Sequence, residues 1–194
     1  MVKRNTGMRI RMGADAPDRE SYMDLVPYVV PFFLLSIGIE YAWGRYRGAD
    51  TYRLNDSINS LSLGTLSTAI KIVGLNIGGV VFSWIEQHWA LTRLDMQSVW
   101  NWVFALLLYD FCYYWFHRIS HERVMFWASH VAHHQSEEYN LTTALRQTST
   151  GFLLTWLFYV PCFIMGVPAA MFVTVASVHL IYQFWIHTRH IPKL

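Results

Sequence analysis

Long apolar stretches alternate along the chain with short polar ones. Leu25–Trp43 carries one ionisable residue, Glu40, and Ser57–Ile85 is rich in small residues and interrupted only by Lys71. Val99–Phe116 carries only Asp110. Phe152–Met165 and Pro168–Trp185 are separated by the short turn GVP. A helix needs about 20 mostly apolar residues to cross the hydrocarbon of a bilayer. The first three stretches meet or nearly meet that length, and the last two adjoin as a hairpin. The pattern predicts an all-α fold, a polytopic membrane helical bundle of about four or five spans.

Composition strengthens this reading. Of the 194 residues, 54% are hydrophobic and only 14% charged, whereas about a quarter are charged in a soluble domain. Residues 1–24 are polar and basic and contain no small-residue cleavage site, so they read as a disordered N-terminal arm rather than a signal peptide. Residues 25–194 then form one membrane domain. The net charge of +2 gives no reason to invoke nucleic acid. Cys112 and Cys162 both lie in apolar runs, which argues against a disulfide framework.

Basic loops set the orientation. If all five runs cross, residues 44–56, 117–150 and 187–194 share a side that holds Arg45, Arg47, Arg53, Arg118, Arg123, Arg146, Arg189 and Lys193. The opposite side holds Arg93 and the basic arm. The balance places 117–150 in the cytoplasm as a histidine-rich helical cap. The number of crossings before Ile85 stays open, because a re-entrant piece there changes the parity.

The chemistry is concentrated in that cap. Five of the nine histidines fall between His117 and His134, spaced H-x-x-x-H and then H-x-x-H-H. Residues three or four apart share a helix face. His117 and His121 therefore point at one site, and His130, His133 and His134 do so from the next helix. Gln183 and His187 stand four apart at the end of the last run, so three helix ends could converge on one pocket. Lone histidines such as His88 and His190 read as interfacial polar residues, but such a cluster reads as a metal site. With no cysteine nearby and more histidines than one zinc needs, two metal ions fit the count better. The Glu-x-x-His motifs of soluble di-iron bundles are absent. An all-histidine set at a membrane interface points to the membrane di-iron oxygenases.

Here the motifs become specific. The run DFCYYWFHRISHE, with Asp110, Tyr113, Tyr114, His117, Arg118 and His121, resembles the first histidine box of the fatty acid hydroxylase/sterol desaturase superfamily. WASHVAHHQSEEYNLTTALRQ resembles its second box. That extension and LIYQFWIHT are most similar to the alkylglycerol monooxygenase branch. The resemblance implies His117, His121, His130, His133, His134 and His187 as ligands of two iron ions, with Gln183 a neighbour of the metal. It implies O₂-dependent hydroxylation, desaturation or ether cleavage of a lipid, an ether lipid or a sterol among the candidates. Electrons would come from a separate donor, a reduced pterin or a cytochrome or ferredoxin partner.

Asp110, seven residues before His117, is the candidate catalytic carboxylate to receive an imidazole N–H. Glu122 is a second, able to orient a metal or pterin. Glu137, Glu138 and Asn140 could hydrogen-bond near the site, and Arg146 could pair with them or with a lipid phosphate. His179 reads as a buried polar partner. The rival reading is a non-catalytic membrane zinc protein, a transporter or sensor, but transporters place such ligands near the bilayer midplane. The superfamily's further H-x-x-H-H box is not found before HIPKL. Two octahedral irons want roughly eight or more protein ligands. The expectation is therefore a fragment, incomplete at the C-terminus and inactive alone, whose parent frame continues past Leu194.

Overall fold

The computed structural model describes residues 25–72 and 77–190, so the predicted arm at 1–24 lies outside the described residues. Every regular element within them is helical: α1 (Val26–Arg47), α2 (Leu54–Ile72), α3 (Ile77–His88), α4 (Val99–Glu122), α5 (Val124–His134), α6 (Leu141–Ala144), a 3₁₀ turn at Gly151–Leu153, α7 (Trp156–Ile164) and α8 (Ala169–Phe184). The predicted all-α class holds.

The apolar runs map onto these helices unevenly. The run at 57–85 is divided between α2 and α3. Among the described residues α1 alone joins the length and the apolar composition needed to cross a membrane. It buries only Phe33, Glu40 and Gly44, while Leu34, Leu35 and Ile39 stand more than half exposed. A contiguous apolar face of this kind needs a lipid or protein cover. With 24 residues α4 is longer still, but its tyrosines, tryptophans and Asp110 dilute its apolarity. The paired α7 and α8 are short, at 9 and 16 residues.

Two apolar clusters hold the helices together. The larger joins Ile85 of α3, Ala105 and Cys112 of α4, Tyr159, Cys162 and Phe163 of α7, and Met171 and Val175 of α8. Cys112 and Cys162 are free thiols with their sulfurs 3.9 Å apart. The smaller cluster joins Phe33 of α1, Leu141 and Ala144 of α6, and Phe184 of α8. Its Phe33 and Phe184 rings stack at 4.1 Å. The α7–α8 turn depends on Gly166, whose φ is +81°. A Cβ there would lie 2.0 Å from the Thr92 carbonyl oxygen.

Two close approaches position the histidines. Arg123, extended at φ −120° and ψ 124°, is the whole connection between α4 and α5. The chain turns on that residue, and the two helices pack on each other. Gly64 lets α2 meet the segment after α6, where a Cβ would stand 2.4 Å from the Leu145 carbonyl oxygen. Backbone cannot yield as a side chain does, so Gly64→Ala is expected to cost about 1–3 kcal/mol. A thermal melt in detergent checks this, and an unchanged midpoint would show that α2 can move aside.

Candidate metal centre

Six imidazoles meet where the end of α4, the second half of α5 and the segment just after α8 come together. One ring nitrogen from each of His117, His121, His130 and His134 lies within 4.8 Å of the other three. The Nε2 atoms of His117 and His121 are 3.1 Å apart, and those of His130 and His134 are 3.0 Å apart. His130 is buried, whereas His121 and His134 are exposed, so the group is open on one side.

His133 and His187 form a second pair beside it. His133 Nδ1–H donates to the Arg146 carbonyl at 2.7 Å, and His187 Nδ1–H donates to the Gln183 carbonyl at 2.8 Å. Those bonds fix both tautomers and leave both Nε2 lone pairs bare. The two Nε2 atoms nevertheless face each other at 3.3 Å. With no proton between them the lone pairs repel, unless a cation stands where they converge. Backbone carbonyls that orient imidazoles in this way are the usual outer partners of metal-bound histidine. The second pair adjoins the first group, since the ring centres of His133 and His134 are 5.2 Å apart.

Burial, followed by the neighbouring imidazoles, depresses the basicity of His130 and His134 most. His130 falls to about 3 and His134 to about 4. Burial also lowers His117, His133 and His187. These five are neutral near pH 7, the form that binds metal. The unfolded chain, with its histidines near 6.5, takes up protons before the folded one does. Stability of the metal-free protein is therefore full above about pH 6.5 and falls as the pH drops toward the folded values. A melting series from neutral to acid pH should show this drop, and the His130→Ala/His134→Ala double variant should flatten it.

The other sequence candidates are placed differently. Asp110 does not receive an N–H from the cluster; its carboxylate is 2.9 Å from Nε2 of buried His179 on α8. Tyr113 links the two regions, with its ring 4.6 Å from His179 and its hydroxyl 3.3 Å from His117 Nδ1. Glu122 is half exposed and paired with Arg118 at 2.9 Å, one turn back on α4. Arg146 pairs neither with Glu137 and Glu138 nor with Asn140. It meets Asp56 of α2 at 3.0 Å, both side chains being buried, while Arg53 takes Glu137 and Glu138. Asn140 caps α6 and donates to the Thr51 carbonyl at 2.6 Å.

Sequence reading missed Asp56 and noted Glu40 only as a charge in an apolar run. That isolation was the available signal, because a carboxylate inside such a run usually has a role. An apolar cavity of about 330 Å³ touches His130 and is lined by Phe116, Met125, Phe126, Leu153 and Leu154, with Ser129, Thr148, Thr150 and Thr155 among its polar residues.

Comparison with known proteins bears on the family of the chain. Residues 102–194, which hold all six clustered histidines, match the fatty acid hydroxylase family model. The chain is 37% identical over 177 residues to alkylglycerol monooxygenase from Homo sapiens, covering 90% of this chain and 39% of that protein. It is 36% identical over 205 residues to the Xenopus tropicalis protein of the same name, covering 100% of this chain and 44% of the relative. The chain thus spans about two fifths of the length of the curated relatives it matches. No solved structure matches.

Proposed function

The chain belongs to the fatty acid hydroxylase superfamily, in its alkylglycerol monooxygenase-like branch, and from that premise we propose that it carries the metal centre of a membrane lipid monooxygenase. The observation that carries the proposal is the convergence of six imidazoles in two groups, one of them with two bare lone pairs aimed at a common point. In this reading residues 25–194 form a membrane di-iron domain. His117, His121, His130 and His134 hold one iron, and His133 and His187 supply part of the set for a second. Thiolates are absent from the group, and imidazole suits iron as well as zinc.

Two irons, when bound, supply O₂ reduction and the insertion of one oxygen atom into an unactivated C–H bond, the other leaving as water at the expense of an external donor. The protein's own residues bind and orient. The Arg146 and Gln183 carbonyls keep Nε2 of His133 and His187 free for metal. Phe116, Phe126 and Leu154 give an alkyl chain a dry place beside His130. Following the relatives' name, the substrate is an alkylglycerol-type ether lipid. Glu122 and Arg118, on the exposed rim of α4, are where a reduced pterin or an electron-carrier protein would approach. Asp110 acts at one remove, through His179 and Tyr113.

The test is the metal content and optical spectrum of the purified protein. Iron with an O₂-sensitive absorption is expected; zinc alone, with no iron uptake under anaerobic loading, would overturn the reading. Comparing the lipids of cells with and without the full-length protein then identifies the substrate.

The proposal includes a multi-pass topology, with α4 and the α7–α8 hairpin entering the bilayer with α1 and the centre on the cytoplasmic side. Ser136 is engaged with Asp56 at 2.7 Å, so the better labelling position is Glu137, whose side chain is 57% exposed. A cysteine at Glu137 should resist an impermeant thiol reagent in intact cells and react after permeabilisation. Labelling from outside reverses the orientation.

A further inference from the structure

Glu40 is buried on α1, only 7% exposed, in the helix otherwise best suited to lipid. Its two oxygens hold three donors from three separate segments. One oxygen accepts from the Leu141 amide at 2.8 Å and from the Tyr52 hydroxyl. The other accepts from the Thr188 hydroxyl. A buried carboxylate destabilises a fold unless it is fully paired, and this one is paired entirely with elements outside its own helix.

The segments it holds are the ones that orient the second histidine pair. Leu141 opens α6, which leads within one turn to Arg146, whose carbonyl fixes the His133 tautomer. Thr188 follows His187 directly in the chain. The Phe33–Phe184 stack fastens the same helices, α1 and α8, two turns away. Glu40 touches neither imidazole, yet it holds Leu141 at the start of the segment that leads to Arg146 and Thr188 next to His187. If its purpose were only to attach α1, apolar packing such as that stack would serve without burying a charge.

We propose that Glu40 is a positioning residue for the second metal position, a clamp that holds the Leu141–Arg146 and His187–Thr188 segments so that His133 and His187 face each other. The inference rests on the metal reading above. It predicts that Glu40 acts through His187, whereas a general anchor for α1 would act independently of it.

The experiment is a Co(II) titration of the full chain in detergent, followed by visible absorption. It compares wild type, Glu40→Gln, Thr188→Val, His187→Ala and each of the first two variants combined with His187→Ala. Loss of an outer partner of a metal ligand lowers affinity by about 10–100-fold. Glu40→Gln and Thr188→Val should each bind Co(II) at least about tenfold more weakly than wild type. Neither combination should be weaker than His187→Ala alone, because coupled residues do not add. Thr188→Val keeps the Glu40 carboxylate and its bonds to the Leu141 amide and the Tyr52 hydroxyl, so it decides the matter even if Glu40→Gln fails to fold. Wild-type affinity in Thr188→Val, or losses that add to that of His187→Ala, overturns the clamp while leaving the metal reading intact. A wild-type chain that binds no Co(II) overturns both.

Discussion

Alanine at His130 or His134 is expected to weaken metal binding by at least about a hundredfold, the top of the range seen when only an outer partner is lost, while the protein stays folded and membrane-inserted. Both nitrogens belong to the group of four that lie within 4.8 Å of one another. An ion held by these four nitrogens would find no replacement ligand within the protein, because the nearest further imidazole, His133, is turned toward His187. The fold should tolerate the change. Burial and neighbouring rings already hold His130 near 3 and His134 near 4, so removing either imidazole relieves a desolvated polar group. Metal analysis with circular dichroism on the same sample checks both halves. Wild-type metal content in either variant would reject the assignment.

Asp56→Ala should give the largest loss of stability. Asp56 and Arg146 are 5% and 7% exposed and lie 3.0 Å apart. Deleting one member of a buried pair leaves the other charged and unpaired, at a cost of about 3–5 kcal/mol. Arg146 cannot swing out to water, since its Nε–H also donates to the Ala132 carbonyl at 2.6 Å. The damage should therefore reach α5 and weaken metal binding as well. The natural pair has a pH signature. Burial alone would raise the Asp56 carboxyl, but the Ser136 hydroxyl, the Glu138 and Glu137 amides and Arg146 together hold it below its ordinary 3.8. A depressed carboxylate contributes stability that is complete above about pH 4 and is lost as the pH falls toward the folded value. Acid melting curves of wild type should steepen there, and those of Asp56→Ala should not.

The histidine centre was legible because its spacing is local. H-x-x-x-H and H-x-x-H-H declare their shared faces through helical periodicity, and His187 could be joined to them because it ends an apolar run. The partners of the charged residues were not legible. Asp110 meets His179, and Arg146 meets Asp56 ninety residues earlier, through packing that no local period encodes. The nearest acidic residues in sequence, Glu137 and Glu138, were the natural guess for Arg146, but Arg53 has taken both. Helix boundaries within the apolar runs were less legible than the helical class. The run from 57 to 85 divides between two helices, and α4 mixes aromatic and polar residues into a helix of ample length.

The one-residue joint at Arg123 makes the centre a matter of phase. Each residue advances a helix by about 100°. An insertion or deletion there would swing α5 by more than a quarter turn about its axis, carrying His130 and His134 away from His117 and His121 without removing a single ligand. Few polypeptide connections are so intolerant of a change in length, since surface loops ordinarily absorb added residues cheaply. Substitutions of the Arg123 side chain, by contrast, should pass with little effect on metal binding. In this chain the distance between the two histidine motifs, counted in residues, is as much a part of the proposed metal site as the imidazoles themselves.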